Sequence, residues 1–273
     1  MRVQAKRSFG QCFLADANIA RIIAEEASSP PGGTTIEIGA GTGALTAPLA
    51  MRAGRVIAIE RDRDLLPVLR ERFAEQSQVE LVEGDAATAD WCGMLVGKPR
   101  PHIVAGNLPY QLTGRLLQRA VELSLCLDRA VFMVQREVAQ RLVAAPSTKD
   151  YGALTVFVRS AFRTAMRVSV PSSCFRPRPK VDSAVVVLTP CEAPDAVRTK
   201  AFALLVHKAF AQRRKTLRNA WSGLPEVETW ARAAGIELDA RGETLAMEEF
   251  ARAARGLAQV WPATGELGAG GGE

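Results

Sequence analysis

The sequence predicts an α/β protein with a mostly parallel, seven-stranded sheet, followed by a small helical domain. Three observations support this prediction. Residues 36–52 have the pattern of a β-branched strand, a glycine-dense turn and a helix. Short apolar runs then alternate with helical patterns up to residue 135, as in a parallel sheet. From about residue 193 the apolar positions recur only at helical spacing. The predicted domains are a catalytic domain at 1–192, a helical domain at 193–261 and a disordered tail at 262–273.

Turn residues and caps divide the first domain into short elements. Residues 1–8 have the composition of a loose basic arm, and Asp16 is a good N-cap for the helix that follows. Asp62 is predicted to cap a later helix, and another helix begins near Arg136. The last two of the predicted strands can pair as a hairpin and give the sheet an antiparallel edge. The predicted strands are 36–38, 55–60, 79–82, 102–105, 129–135, 165–170 and 182–188.

The turn after the first strand has the composition of a cofactor cradle. Gly39, Gly41 and Gly43 permit positive φ and let a ligand approach the backbone closely. A helix N-terminus follows directly, as in other α/β cofactor sites. The spacing lacks the third glycine of the dinucleotide fingerprint, so a tight turn without a ligand remains an alternative.

Acidic residues follow the second and third strands. Glu60 ends strand 55–60 about 20 positions after the turn, where an acidic side chain commonly holds ribose hydroxyls. This placement fits either a nicotinamide dinucleotide or S-adenosylmethionine. Asp85 lies just beyond strand 79–82, where its carboxylate can accept from an exocyclic amine such as that of adenine. The alternative for Asp85 is a cap of the next segment.

The fourth strand delivers the stretch Asn107-Leu108-Pro109-Tyr110. The Asn107 side-chain carbonyl and a backbone carbonyl fixed by Pro109 can accept both N–H bonds of an adenine amine. Tyr110 can stack on an extruded base. A simple turn accounts for the asparagine and the proline but not for the aromatic ring. A sulfonium methyl group is already activated, so this chemistry requires no general base.

The composition excludes several kinds of site. The chain has only two histidines, so neither a zinc site nor a His-based triad is expected. Its five scattered cysteines include no Cys-x-x-Cys pair, which predicts reduced thiols. The sequence has no apolar run of roughly 20 residues and no signal-peptide pattern at its start. These features predict a cytoplasmic protein that binds neither metal nor membrane.

Basic charge is concentrated in residues 151–225, where thirteen Lys or Arg face three Asp or Glu, although the whole chain carries a net charge of only +6. This asymmetry predicts a polyanionic partner, nucleic acid first, with solvated helix faces as the alternative. The loop 175–180 combines an aromatic residue, prolines and basic residues, as expected for RNA contact. Its basic residues are Arg176, Arg178 and Lys180, and a second candidate group is Arg213, Arg214 and Lys215.

With these pieces in order, the chain resembles the ribosomal RNA adenine dimethyltransferases that act on small-subunit RNA. The resemblance spans residues 7–257. It rests on Gly-Gln-Cys-Phe-Leu (10–14), Glu-Ile-Gly-Ala-Gly-Thr-Gly (37–43), Glu-Gly-Asp-Ala (83–86), Asn-Leu-Pro-Tyr (107–110), Phe-x-Pro-x-Pro-Lys-Val-Asp-Ser (175–183), Ala-Phe-Ala-Gln-Arg-Arg-Lys-Thr-Leu-Arg-Asn (209–219) and Arg-Gly-Glu-Thr-Leu (241–245).

The resemblance implies a Rossmann-like methyltransferase sheet and dimethylation of the N6 amines of two adjacent adenosines near the 3′ end of 16S rRNA, late in ribosome assembly. The implied partner is small-subunit rRNA or a pre-30S particle, and the protein is expected to be a monomer. The implied donor-binding residues are Gln11, Cys12, Leu14, Gly39, Gly41, Glu60, Arg61, Asp85, Ala86 and Asn107. The implied target-binding residues are Asn107, Leu108, Pro109 and Tyr110, with Phe175 as a second stacking wall.

One residue departs from the family pattern. Cys12 stands where the family has an asparagine that helps hold the donor, and a thiol is a poor hydrogen-bond partner. Either the backbone at residues 12 and 14 suffices, or donor affinity is reduced.

Alternative functions remain open at this point. A sister class methylates large-subunit RNA and confers antibiotic resistance, but Leu108 and a helical segment around 212–215 favour the small-subunit class. A NAD-type oxidoreductase is disfavoured by the 107–110 stretch and the basic region. A non-catalytic assembly or transcription factor on the same fold is disfavoured by the intact Glu60, Asp85 and Asn107.

Overall fold

The computed structural model describes Lys6 and residues 11–261, and it has the predicted α/β architecture. The described chain divides into two compact units. Unit 1 contains the residues up to Val143 together with Ala161–Cys191, and unit 2 contains Ala144–Ser160 and the residues from Glu192 onward. The predicted tail 262–273 and, apart from Lys6, the predicted arm 1–8 lie outside the described residues.

All nine described strands belong to unit 1, and seven of them form one sheet. The seven predicted strands are all present, with shifts of a few residues at their ends. The strands are β1 (Phe13–Leu14), β2 (Thr34–Ile38), β3 (Arg55–Glu60), β4 (Val79–Glu83), β5 (His102–Asn107), β6 (Arg129–Gln135), β7 (Phe162–Val170), β8 (Phe175–Arg176) and β9 (Ser183–Pro190).

The large sheet has the order β4-β3-β2-β5-β6-β9-β7. Strands β2 to β6 run parallel to one another, whereas β9 is antiparallel to both β6 and β7, so the predicted antiparallel edge is confirmed. Helices must cover both faces of such a sheet, and its central strands are accordingly buried and apolar. The short strands β1 and β8 pair antiparallel with each other in a separate two-stranded ribbon.

The helices of unit 1 include those predicted, with one change of capping, and α4, which was not predicted. Asp16 caps α1 by accepting from the backbone N–H groups of Asn18 and Ile19. Asp62 is not the N-cap of α3, because the cap position is Leu65 and Asp62 has other partners. The helices of unit 1 are α1 (Ala17–Ala27), α2 (Thr46–Ala50), α3 (Leu66–Arg72), α4 (Trp91–Leu95), α5 (Thr113–Glu122) and α6 (Arg136–Val143).

Unit 2 is helical and has its own apolar core. Trp221, Trp230 and Phe250 are buried together, and the indole N–H of Trp221 donates to the carbonyl of Leu205 at 3.0 Å. Tyr151 donates its hydroxyl to the carbonyl of Leu245 at 2.8 Å. The helices of unit 2 are α7 (Ala153–Arg159), α8 (Lys200–Ala211), α9 (Leu217–Ala220), α10 (Val227–Ala233) and α11 (Met247–Val260).

The predicted domain boundary differs from the structure in one segment. Residues 144–160, assigned from sequence to the first domain, pack in unit 2. The physical reason is that Tyr151 and Val156 contribute their side chains to the helical core. Helix α7 was not predicted, because its seven residues lie between two sheet strands and lack a clear N-cap signal.

The cysteines also differ from the prediction of reduced thiols. Cys92 in α4 and Cys126 in the short 3-10 turn after α5 form a disulfide, with their Cα atoms 5.7 Å apart. Their separation of 34 residues matches no local motif, so only the tertiary fold reveals the pair. The other three cysteines form no disulfide.

Candidate active site

A cleft lies at the carboxyl ends of the central parallel strands of unit 1. Ile38, the last residue of β2, pairs with Ile59 of β3 on one side and with Gly106 of β5 on the other. The residues that follow these strands therefore emerge together at one edge. Because β2 sits between β3 and β5, this edge is also the point where the strand order reverses, which is the usual ligand site of open α/β sheets.

The structure brings most of the predicted donor and target residues to this one cleft. Each of them lies in one of five segments, namely the N-terminal segment and the carboxyl ends of β2, β3, β4 and β5 with the turns that follow them. The predicted residues that line the cleft are Gln11, Cys12, Leu14, Gly39, Gly41, Glu60, Arg61, Asp85, Ala86, Asn107, Leu108, Pro109 and Tyr110.

The glycine turn is open to the cleft. Gly39 and Gly41 have φ values of +72° and +58°, in the region that side chains with a Cβ rarely adopt. A Cβ placed on Gly39 would meet no protein atom within 4 Å, so a side chain there would project into open space. The backbone at this turn can therefore approach a ligand directly.

Glu60 anchors the turn from the neighbouring strand. Its carboxylate accepts from the N–H of Gly41 at 2.7 Å and, through the other oxygen, from the N–H of Asp62 at 2.7 Å. The side chain is buried, but a carboxylate has about four acceptor positions, and these two bonds leave room for ligand hydroxyls. Glu60 is thus held in a single orientation at the edge of the cleft.

Asp85 has the capping role that was its alternative prediction, and its second oxygen lies near Arg61. Its Oδ1 accepts from the N–H of Ala87 at 2.9 Å, which orders the turn after β4, while Oδ2 lies 3.6 Å from the guanidinium of Arg61. The carbonyl of Ala86 accepts from the indole N–H of Trp91 at 2.9 Å. Asp85, predicted to recognise adenine, therefore lies in a turn that is held by its own carboxylate and by Trp91.

The N-terminal segment forms a wall of the cleft. Gln11 donates its side-chain amide to Asp62 at 2.9 Å, and Lys6 forms an ion pair with the same carboxylate at 2.5 Å. Burial opposes ionisation of Asp62, but the hydrogen bonds from Lys6 and Gln11 outweigh it and lower the pKa of Asp62. Burial raises the pKa of the Cys12 thiol, so this side chain is neutral near pH 7.

Asn107 is oriented by that wall. Its side-chain amide donates from Nδ2 to the backbone carbonyl of Cys12 at 3.0 Å, which leaves Oδ1 as an acceptor. The carbonyl of Pro109 is occupied by the N–H of Leu112 and the hydroxyl of Thr113, at 2.9 and 3.1 Å. The carbonyl of Leu108, which precedes the proline, is thus the second acceptor that this stretch can offer.

Tyr110 is held by a residue that had no predicted role. Its hydroxyl lies 2.9 Å from Oγ of Ser183, the completely buried first residue of β9. Burial raises the pKa of Tyr110, although the bond to Ser183 acts in the opposite direction. The half-buried ring therefore stays a neutral phenol that is fixed at its far end. Ser183 belongs to a sequence motif, but no local pattern indicates that it contacts residue 110.

Glu37 is a second cleft residue without a predicted role. It is the last residue but one of β2, is completely buried, and still lines the cleft. Within the described part of the chain its Oε2 has no hydrogen-bond partner. Burial raises the pKa of Glu37 to about 8. A glutamate within an apolar strand could have been noticed from sequence, because buried carboxyl groups are uncommon.

Two predicted residues do not have the expected surroundings. Phe175 has no exposed surface and packs in the core beneath the ribbon, so the prediction of a second stacking wall is wrong for this structure. Its strand-like backbone pairs with Leu14 and turns the ring inward. Arg213 donates to Glu243 at 2.8 Å and to the carbonyl of Lys149, so its guanidinium joins parts of unit 2 and is not simply offered to phosphate.

The other predicted RNA-binding residues are exposed. Arg176 and Arg178 each donate to atoms of their own loop, at 2.8 to 2.9 Å, and Lys180 is exposed beside them. In unit 2, Arg214 and Lys215 are exposed in a turn after α8, where a helical segment was predicted.

Among the described residues, no three His, Cys, Asp or Glu side chains are placed to hold a metal ion. No described helix is both long and apolar enough to cross a membrane.

Comparison with known proteins links this geometry to one family. A model of the family described as ribosomal RNA adenine dimethylase matches residues 2–259. A ribosomal RNA small subunit methyltransferase A from Moorella thermoacetica is 43% identical over 92% of each chain, and one from Myxococcus xanthus is 40% identical over 96% of this chain and 94% of the relative.

Solved structures show the same fold. A dimethyladenosine transferase from Plasmodium falciparum superimposes with a TM-score of 0.75 at 24% identity, over 88% of this chain and 95% of that one. The 23S rRNA methyltransferase ErmE superimposes with a TM-score of 0.68 at 28% identity, over 90% of this chain and 99% of that one.

Proposed function

Because the chain belongs to the ribosomal RNA adenine dimethylase family, we propose that it transfers methyl groups from S-adenosylmethionine to the N6 amines of adenosines in small-subunit rRNA. The substrate proposed in detail is a pair of adjacent adenosines near the 3′ end of 16S rRNA in a pre-30S particle. The protein would act as a monomer in the cytoplasm. The observation that carries the proposal is the single cleft that contains both the glycine turn and Asn107 to Tyr110.

The chemistry of the cleft fits this methyl donor. The open backbone at Gly39 accommodates a bulky ligand, Glu60 offers acceptors for ribose hydroxyls, and Asp85 offers one for the adenine amine. Three carboxyl side chains, those of Glu37, Glu60 and Asp85, line the cleft together with one guanidinium, that of Arg61, and this excess of acidic groups favours a cationic ligand. When bound, the donor supplies an activated methyl group. The backbone around Cys12 completes the wall, so the family asparagine is not needed for the contact to Asn107.

The target end of the cleft fits an adenine amine. Oδ1 of Asn107 and the Leu108 carbonyl are the two acceptors that would take its two N–H bonds, directing the nitrogen lone pair toward the methyl group. Tyr110 would stack on the base after it leaves the RNA helix. Arg176, Arg178, Lys180, Arg214 and Lys215 are the residues proposed to contact phosphates.

Nucleoside mass spectrometry tests the proposal directly. Undermethylated small subunits, incubated with the protein and labelled S-adenosylmethionine, should gain N6,N6-dimethyladenosine at two adjacent positions near the 3′ end of the rRNA. Large subunits serve as the matched control. Label in the large-subunit RNA alone would favour the activity named for ErmE. Donor binding without label in either RNA would indicate a non-catalytic assembly factor.

A further inference from the structure

The Cys92–Cys126 disulfide does not line the cleft, but it joins elements that follow two of the cleft's walls. Cys92 lies in α4, shortly after the turn that carries Asp85 and Ala86, and Cys126 lies in the 3-10 turn that follows α5. Both cysteines are half-buried, so a small thiol or disulfide can reach them. Disulfides in a reducing compartment, where this protein is proposed to act, are usually transient and sense redox conditions. The pair is therefore a candidate for reversible oxidation.

Helix α4 is coupled to the cleft through the residue that precedes Cys92. Trp91 is completely buried, and its indole N–H donates to the carbonyl of Ala86 at 2.9 Å. Ala86 lines the cleft beside Asp85, the residue proposed to bind the donor's adenine. A large buried ring cannot shift without its neighbours, because protein interiors are close-packed. A displacement of α4 therefore moves the turn that carries Asp85.

The other half of the pair is attached to the central sheet. The carbonyl of Cys126 lies 3.3 Å from Nδ1 of His102, the first residue of β5. Asp128 donates its backbone N–H to the carbonyl of His102 at 2.8 Å, and its carboxylate accepts from the backbone N–H of His102 at 2.6 Å. The other end of β5 carries Asn107. The disulfide thus ties α4, a helix of only five residues, to the strand that delivers Asn107 to the cleft.

Reduction of the disulfide would leave other contacts between these elements in place. The segment before α4 keeps a bond to α5, in which Arg119 donates to the carbonyl of Ala89 at 2.9 Å. Trp91 stays packed in the core, because its burial does not depend on the covalent bond. The reduced protein should therefore hold the Asp85 turn in the same place but with more freedom. Reduction is expected to weaken donor binding without abolishing it.

We propose that Cys92 and Cys126 form a redox modification site and that their disulfide strengthens binding of the methyl donor. The inference rests on the proposed function only where it concerns the donor. The oxidant is a small disulfide: one cysteine thiolate attacks it and expels a thiol, and the second cysteine then displaces the other thiol from the mixed disulfide. Two protein thiols thus become one disulfide, the small disulfide becomes two thiols, and both protons pass to those leaving thiols.

Glutathione buffers measure the redox step without the donor. Full-length protein is equilibrated near neutral pH with glutathione and glutathione disulfide in varied ratio, and the remaining thiols are blocked with N-ethylmaleimide. Intact-mass and peptide mass spectrometry should show that oxidation removes one label from Cys92 and one from Cys126. Transfer to a buffer rich in reduced glutathione should restore both labels.

Donor calorimetry measures the coupling. Oxidised wild-type protein should bind S-adenosylmethionine about three- to tenfold more tightly than reduced wild-type protein, the range expected for coupling between connected segments. Linkage requires the reciprocal effect, because each equilibrium must favour the other by the same factor. With saturating donor, the ratio of squared glutathione concentration to glutathione disulfide concentration at half oxidation should therefore increase by that factor.

The double variant Cys92→Ser, Cys126→Ser removes the site. It should bind the donor like reduced wild-type protein in either buffer, and thermal unfolding should show that it is folded with the Tm of the reduced protein. It retains Cys12, which lines the cleft, so it also reports any effect of the redox buffer on that thiol. Cys191→Ser is the matched control, because Cys191 is a half-buried cysteine of unit 1 that forms no disulfide, and it should respond as wild type does.

The outcomes separate this inference from the proposed function. Labels that persist on Cys92 and Cys126 at every glutathione ratio overturn the redox site. Equal donor affinity of the oxidised and reduced proteins overturns the coupling, and so does a redox response of full size in the double serine variant. Each of these results leaves the methyltransferase proposal standing. Failure of both redox forms to bind the donor counts against the proposed function itself, and the redox step measured without donor is then judged on its own.

Discussion

The two ends of the cleft are built differently. At the end proposed to bind the donor, called the donor end, the glycine turn is tied to Glu60, 19 residues away along the chain, through the backbone of Gly41. At the end proposed to hold the target adenine, called the target end, Asn107 donates to the carbonyl of Cys12, 95 residues away, and Tyr110 bonds to Ser183, 73 residues away. The donor end is thus a local βαβ feature, whereas the target end is assembled from distant segments. Donor binding and base positioning should therefore fail separately when residues are replaced.

Asn107→Ala should have the largest effect and tests this separation. Loss of the Oδ1 acceptor should reduce methyl transfer about a thousandfold, because the target amine is no longer oriented. The donor dissociation constant should change little, since the glycine turn, Glu60 and Asp85 are untouched. Single-turnover transfer and donor calorimetry provide the two measurements. Undiminished dimethyladenosine in this variant would contradict the role of Asn107.

The second largest effect should be a dependence of the free energy of unfolding on pH that arises from Glu37, at the donor end. The pKa of Glu37 is raised from 4.5 to about 8 in the folded protein, so the folded state binds more protons between these values. Stability without donor should therefore fall by a few kcal/mol as the pH rises from about 4.5 to 8. Urea unfolding should show that Glu37→Gln removes this slope. If the free energy of unfolding varied with pH in the same way for wild-type protein and Glu37→Gln, the conclusion that Glu37 is a buried neutral acid would be refuted.

The contact between Tyr110 and Ser183 should give a smaller effect, confined to the target end. Tyr110→Phe and Ser183→Ala should each reduce transfer about three- to tenfold, as expected for one neutral hydrogen bond. The double variant should be no worse than either single one, because both remove the same interaction. Donor affinity serves as the internal control and should remain unchanged. Additive losses would show that the two residues act independently.

Neutralising Arg214 and Lys215 should have the smallest effect and involves neither end of the cleft. The double glutamine variant should bind small-subunit RNA more weakly, and the slope of log affinity against log salt should decrease by about one per residue. Arg213→Gln is the contrasting variant. It should lower the stability of unit 2, because Glu243 and the Lys149 carbonyl lose their partner, with a smaller change in the salt slope.

The same difference between the two ends explains how far sequence reasoning reached. The seven sheet strands, the cap at Asp16 and the candidate donor residues Gly39, Gly41, Glu60 and Asp85 were predicted because each is specified by a short pattern of glycines, acids or β-branched residues. The other candidate donor residues were implied only by the family resemblance. The inward turn of Phe175 follows from its pairing with Leu14, which no local pattern encodes. The Cys92–Cys126 pair and the placement of α7 in unit 2 likewise depend on contacts between distant segments.

The ribbon of β1 and β8 connects the basic loop 175–180 with the N-terminal wall of the cleft in unit 1. Phe13, whose ring lies against Gly41, is paired through its backbone with Arg176 of the basic loop. A displacement of that loop would reach Phe13, which lines the cleft, through the two paired positions of the ribbon, Phe13 with Arg176 and Leu14 with Phe175. Because Arg176 is one of the residues proposed to contact RNA, a contact that fixes Arg176 should also restrict the Phe13 ring beside the glycine turn.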